Sequence, residues 1–138
     1  MSIQYKKSQV ISLEQFTDLL QHSTLGQRRP IEDKICLQGM LDHANLTISA
    51  WDEDKLVGIA RCVTDFHYAC YLSDLAVDES YQNQGIGKQL QIRVQNELNE
   101  HCKLILISAP AANSYYEHIG FNHNPRCWVL ERDSSIRS

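Results

Sequence analysis

Leu72-Ser73-Asp74-Leu75-Ala76-Val77-Asp78-Glu79-Ser80-Tyr81-Gln82-Asn83-Gln84-Gly85-Ile86-Gly87-Lys88-Gln89-Leu90 changes its apolar rhythm halfway along. Leu72, Leu75 and Val77 fall in a short run that stops at Asp78-Glu79-Ser80, the pattern of a largely buried strand reaching its end. Beyond the turn, Ile86, Leu90, Val94 and Leu98 recur every four residues with polar side chains between them, which predicts a helix with one stripe facing a core. Strand, glycine-bearing turn and helix are therefore expected in that order. Two glycines at the start of a helix need a reason, because each costs about 1 kcal/mol relative to alanine. Without side chains at Gly85 and Gly87, the free N–H groups of the first turn can lie against a ligand, and the positive end of the helix dipole favours an anion such as phosphate. A turn that merely reverses the chain would look the same.

Spacing removes the two commonest phosphate loops. A nucleoside triphosphate loop needs a Lys-Ser/Thr pair, and Lys88 is followed by Gln89; a dinucleotide loop needs a third glycine where Leu90 stands. What remains, Gln82-x-x-Gly85-x-Gly87 after a Leu-Ala-Val-Asp strand, resembles the acyl-CoA-binding motif of the GCN5-related N-acetyltransferases, Gln/Arg-x-x-Gly-x-Gly/Ala. The resemblance implies that the turn of Gln82, Asn83, Gln84, Gly85, Ile86, Gly87 and Lys88 holds the CoA pyrophosphate, and that the backbone of Leu75, Ala76 and Val77 meets the pantetheine arm.

Composition sets the frame for this reading. A chain of 138 residues is long enough for one core and is expected to form a single domain over its whole length. With 43% apolar and 22% charged residues it has ordinary globular composition, and a net charge of -4 argues against nucleic acid or an anionic membrane as the main partner. No apolar run approaches a membrane span and the first residues lack a signal segment, so a cytoplasmic protein is expected. The five cysteines are odd in number and lack a Cys-x-x-Cys pair. Reduced, mostly buried thiols and no metal site are expected.

Along the chain, Ile3 to Lys7 reads as an edge strand, and Ser12 with Gln15 as a capping box opening a helix that carries Leu13, Phe16, Leu19 and Leu20. Pro30 suits the first position of a second helix running to about Ala44, with Ile31, Ile35, Leu37, Met40 and Leu41 on its apolar side. Leu46 to Trp51 and Leu56 to Val63 form a hairpin about Asp52-Glu53-Asp54-Lys55, and the next strand spans Ala69 to Val77. The helix after the glycine turn extends to about Glu100. Lys103 to Ser108 reads as a strand covered on both faces, Ala109 to Ile119 as a helix ended by Gly120, and Phe121 with Cys127 to Leu130 as a closing antiparallel pair. The result is an α+β fold with a mixed, mostly antiparallel sheet in the order β-α-α-β-β-β-α-β-α-β, which also matches the acetyltransferase family.

A second segment, Ala112-Asn113-Ser114-Tyr115-Tyr116-Glu117-His118-Ile119-Gly120-Phe121, resembles the family's Ala-x-x-Phe-Tyr-Glu-Lys-x-Gly-Phe, which puts Tyr116 at the tyrosine beside the CoA sulfur. Tyr115 is read as ordinary aromatic packing. Relatives that carry an Asn seven residues before the tyrosine contact CoA there; this chain has Ala109, and Asn113 is the neighbouring candidate.

Moving an acyl group from a thioester to an amine sets three demands. The ammonium must lose a proton, the tetrahedral oxyanion needs donors already in place, and the thiolate benefits from a proton as it leaves. Tyr116 suits the last demand and a backbone amide at Val77 the second. For the first, Asp74 is the candidate base, acting through water, against a reading in which it orients a neighbouring loop; Tyr71 is another candidate. Acceptor recognition is expected around Arg28 and Arg29, which can clamp a carboxylate or phosphate when they are not merely solvated, and near Tyr71. The leading expectation is an acetyl-CoA-dependent N-acetyltransferase with a primary amine acceptor. A catalytically silent acyl-CoA-sensing regulator and a small nucleotide binder are the rivals. A homodimer paired through the edge at Phe121 to Leu130 is also open.

Overall fold

The computed structural model describes residues 2–137. Its backbone falls into two compact units, one ending at Leu106 and the other beginning at Ile107. The first is built on a sheet in the order β1-β2-β3-β4-β5, formed by β1 (Gln4–Lys7), β2 (Leu46–Asp52), β3 (Lys55–Thr64), β4 (Ala69–Val77) and β5 (Lys103–Ile105). Each of the first four strands is antiparallel to its neighbour, and β5 runs parallel to β4. That is the mixed, mostly antiparallel sheet anticipated from the sequence.

Three helices cover the sheet. On one face, α3 (Ile86–Asn96) buries Ile86, Leu90 and Val94 against Ile48, Ala50, Ala60, Cys62, Cys70 and Leu72. On the other, α1 (Leu13–Gln21) buries Phe16, Leu19 and Leu20, and α2 (Lys34–His43) buries Leu37, against Trp51, Leu56, Ile59 and Ala76. Each such side chain contributes about 1.5–3 kcal/mol on leaving water, so the two apolar stripes of α1 and α3 fix which face each helix covers. The capping box at Ser12 forms as expected: its hydroxyl accepts from the Gln15 N–H at 3.1 Å, and the Gln15 side chain accepts from the Ser12 N–H at 2.9 Å.

β4 carries the feature that matters most for the site. Cys62 pairs with Leu72 but Arg61 pairs with Asp74, so Ser73 is an extra residue, a bulge. The bulge reverses the strand's alternation: Cys70 and Leu72 face α3 before it, and Leu75 and Val77 pack on that side after it, while Asp74 and Ala76 turn to the α1 side.

Several expectations are corrected. Pro30 does not open α2, which starts at Lys34 because the Asp33 carboxylate caps it, accepting from the Cys36 N–H at 3.0 Å; Ile35 consequently lies exposed. The helix α3 stops at Asn96, short of Glu100. The strand β5 spans only Lys103–Ile105, and Ile105 and Ile107 are exposed rather than covered. Among the described residues no strand forms after Gly120: the backbone bonds there close local turns, Ser134 N–H to Glu131 and, about Pro125, which has no N–H to give a ladder, Cys127 N–H to Asn124. The edge invoked for pairing with a second copy is therefore absent. Cys62 and Cys70 are buried as expected, whereas Cys36 and Cys127 are exposed, and all five thiols are free.

The second unit holds a short 3-10 turn at Pro110–Ala112 and α4 (Asn113–His118), in place of the continuous helix expected from Ala109.

Candidate active site

The site is built from the end of β4 outward. β5 pairs with β4 only at Ala69 to Tyr71, so beyond Tyr71 the strand has β3 on one side and no strand on the other among the described residues. The Asp78 N–H donates to the Val57 carbonyl of β3 at 2.9 Å, which fixes the direction of the groups before it. Since backbone polar groups alternate edges along a strand, Ala76 turns both its groups to β3, and Leu75 and Val77 turn theirs to the open edge. The Val77 carbonyl confirms this by accepting the Gln82 side-chain amide at 3.2 Å. Two N–H groups thus remain in the open, at Leu75 and Val77. Of the three strand contacts expected from the sequence, Ala76 is not available through its backbone, and its side chain is buried.

The turn that follows is braced before it reaches the glycines. Asp78 caps a 3-10 turn at Glu79–Tyr81, accepting from the Ser80 N–H at 2.8 Å, and the Tyr81 hydroxyl donates to Asp52 at 2.6 Å, a bond that raises the Tyr81 pKa. Asn83 and Gly85 then take left-handed conformations, at φ 64° and 79°, and the Gly85 carbonyl starts α3 by accepting from the Gln89 N–H at 3.0 Å. No side chain caps this helix. A methyl group at Gly85 would meet nothing within 4 Å, and one at Gly87 would meet only Val77 at an ordinary 3.7 Å. Packing inside the protein therefore does not require glycine at 87. The space above both glycines is open, and the N–H groups of Ile86, Gly87 and Lys88 point into it without intrahelical partners. Gln82, Asn83, Gln84 and Lys88 are exposed around it.

Asp74 has a different setting from the one expected of a base. It is buried, with one carboxylate oxygen accepting from the Arg29 Nε at 2.6 Å and the other from the Arg61 Nε. Both oxygens are engaged by guanidinium groups, an arrangement that fits the loop-orienting alternative. Arg29 is correspondingly not a free clamp for substrate: it also donates to the Ser73 carbonyl at 2.8 Å and the Arg28 carbonyl at 3.0 Å. Arg28 and Tyr71 are exposed. Sequence reasoning missed Arg61 and Ser73. The available signal was an arginine in the otherwise apolar Leu56 to Val63 run, facing the lone aspartate of the next strand.

In the second unit, Tyr116 packs edge-to-face against Tyr115 and Phe121, with ring centres 5.3 and 5.5 Å away, and its carbonyl accepts from the Phe121 N–H at 2.9 Å. Burial, seconded by Tyr115, pushes its phenol above the ordinary value, so it holds its proton at neutral pH. The Asn113 side-chain oxygen accepts from the Ser108 hydroxyl at 3.0 Å, which leaves its amide hydrogens free to donate.

Comparison with known proteins converges on one family. The acetyltransferase (GNAT) domain matches residues 12–126, a span that includes the glycine turn and Tyr116. An uncharacterized ycf52-like N-acetyltransferase of Prochlorococcus marinus is 31% identical over 129 residues, 89% of this chain and 68% of its own length. The ycf52 N-acetyltransferase of Gracilaria tenuistipitata is 27% identical over 71% of this chain, which spans only 56% of that relative. Among solved structures, a GNAT family acetyltransferase from Streptococcus pneumoniae superimposes with a TM-score of 0.72 at 25% identity, covering 95% of this chain and all of that one. An aminoglycoside N-acetyltransferase solved in complex with CoA has the same fold, with a TM-score of 0.71 at 18% identity and 96% of each chain covered. No helix among the described residues is long and apolar enough to cross a membrane. The motif at the glycine turn, the family match over residues 12–126 and the 31% identity across most of the sequence agree, and the chain belongs to the GNAT acetyltransferase family.

Proposed function

We propose that this chain transfers the acetyl group of acetyl-CoA directly to a primary amine, on a small molecule or on a protein, with its two compact units working as one domain. The observation that carries the reading is the pair of unsatisfied backbone arrays in the first unit: the N–H groups opening α3 and those of Leu75 and Val77 on the free edge of β4. The first array, with Asn83, Gln84 and Lys88 at its rim, suits a diphosphate, and glycine at 85 and 87 lets it approach. The edge amides suit the pantetheine arm and the thioester oxygen, with Val77 the donor to the oxyanion that forms as the amine attacks. Gln82 supports this by keeping the Val77 carbonyl occupied. Asn113 takes the contact that Ala109 cannot make.

The C–N bond forms as the thioester carbonyl opens to a tetrahedral alkoxide. Its collapse breaks the C–S bond, and the departing sulfur takes a proton from Tyr116, which burial keeps in its protonated form until then. Asp74, held by two guanidinium groups, serves the architecture; the ammonium gives its proton to water, with Tyr71 the side chain on β4 placed in the open to assist. Arg28 is the exposed arginine left for the acceptor.

Mixing the chain with acetyl-CoA and a panel of primary amines, and following release of the free thiol, tests the reading. Amine-dependent release is expected, and Tyr116→Phe should lower turnover while changing CoA affinity little. Binding of acetyl-CoA with no release across small amines and lysine peptides would favour a silent acyl-CoA sensor instead.

A further inference from the structure

We propose that Arg29 and Arg61 are positioning residues for acetyl transfer: together they fix the bulge at Ser73–Asp74, and through it the direction in which the Leu75 and Val77 amides point. The inference rests on the reading above, in which those amides receive the thioester. Four acceptors of the bulge are held by the two guanidinium groups. Arg61 donates from Nε to Asp74 and from one terminal nitrogen to the Ser73 hydroxyl at 2.9 Å; Arg29 donates from Nε to Asp74 at 2.6 Å and from one terminal nitrogen to the Ser73 carbonyl at 2.8 Å. The clamp reaches further on each side, since Arg61 also binds the Met40 carbonyl at 3.1 Å and Arg29 the Arg28 carbonyl. It therefore ties β4 to α2 and to the loop between α1 and α2.

Stability alone does not account for this arrangement. Two guanidinium groups share one carboxylate, all largely withdrawn from water, and a buried ionic cluster is often no better for stability than apolar residues of the same volume. What the ions supply is direction. Guanidinium forks are planar and rigid, and here they hold main-chain and side-chain atoms of the residues where the strand slips its alternation. A strand without the extra residue would turn the Ala76 N–H, instead of those of Leu75 and Val77, to the free edge. The Arg29 end is itself held in place: a side chain at Gly26, three residues earlier, would come within 2.5 Å of the Leu20 carbonyl, so the loop lies directly on the end of α1.

The test needs no identified acceptor. Acetyl-CoA labelled with 13C at the thioester carbonyl is bound to the unaltered chain and to Arg29→Gln, Arg29→Lys and Ser73→Ala, and its carbonyl stretch is read by infrared difference spectroscopy alongside affinity by calorimetry. The unaltered chain should shift the carbonyl to lower frequency than in water. Arg29→Gln should lose most of that shift and slow the breakdown of acetyl-CoA at least about tenfold, as removal of an oxyanion donor does, while affinity stays within about threefold because the diphosphate contacts are elsewhere. Ser73→Ala, which removes one bond and keeps the fold, should lose part of the shift, and Arg29→Lys should rescue part of it. A full carbonyl shift and unchanged breakdown in both Arg29→Gln and Ser73→Ala would overturn the positioning role. Failure of the unaltered chain to bind acetyl-CoA would overturn the functional reading itself, and this inference with it.

Discussion

The helices α1 and α3 begin in opposite ways. At α1, Ser12 and Gln15 exchange hydrogen bonds and close the first turn on itself. At α3, Gly85 stands at the cap in a left-handed conformation, no side chain satisfies the first turn, and two glycines keep the space above it clear. Both helices bury an apolar stripe of similar kind, so packing does not explain the contrast. A helix start finished by its own side chains serves the fold; one left unfinished gives up roughly 1 kcal/mol of capping so that something outside the chain can complete it.

The severest way to break this contrast is to fill the bare start with charge. Gly85→Glu strains a φ of 79° and puts a carboxylate where the diphosphate is assigned, and acetyl-CoA affinity measured by calorimetry should fall about 100-fold or more. Gly87→Ala separates the two interests more sharply. A methyl group there fits the protein, so thermal or urea unfolding should show up to about 1 kcal/mol of added stability from helix propensity. Acetyl-CoA affinity should stay within about threefold, because the motif itself admits alanine at this position and the first-turn amides remain bare. The mirror experiment is Ser12→Ala, expected to cost about 1 kcal/mol in urea unfolding and to leave acetyl-CoA affinity unchanged.

A smaller effect concerns a third closed turn. The exposed Asp65 carboxylate accepts from the N–H groups of His67, Tyr68 and Ala69, and these bonds lower its pKa to about 2. A lowered carboxyl pKa gives stability present above the unfolded value and lost as the pH falls through the folded one. The turn before β4 should therefore hold at pH 4 and loosen toward pH 2, with the amide resonances of residues 67–69 titrating about that lower value. A midpoint near 4 would show that the three bonds do not persist in solution.

How much of this could be read in the sequence depends on the range of the interaction. The Ser12 capping box, the α3 stripe and the glycine turn are local patterns, and each formed where expected. Asp33 displaced Pro30 as the start of α2 through a rule equally local but ranked too low, since a carboxylate that binds an N–H outweighs a ring that only presets φ. The bulge at Ser73 left only a change of phase, from Cys70 and Leu72 to Leu75 and Val77, which in so short an apolar run reads as a buried strand without a slip. Without it, Asp74 reads as a solvated strand-end acid and Arg29 as a surface cation, and only the fold reveals that the two are partners 45 residues apart. The closing strand at Cys127 to Leu130 failed for the converse reason, because β-forming composition next to Pro125 had no neighbouring strand to pair with.

The most direct test follows the backbone amides of the 15N-labelled chain as acetyl-CoA is added. The account predicts that Ile86, Gly87 and Lys88 move to lower field together and saturate with the same midpoint as Leu75 and Val77, while the first turn of α1 stays still. Saturable binding that leaves Ile86, Gly87 and Lys88 unmoved would contradict it.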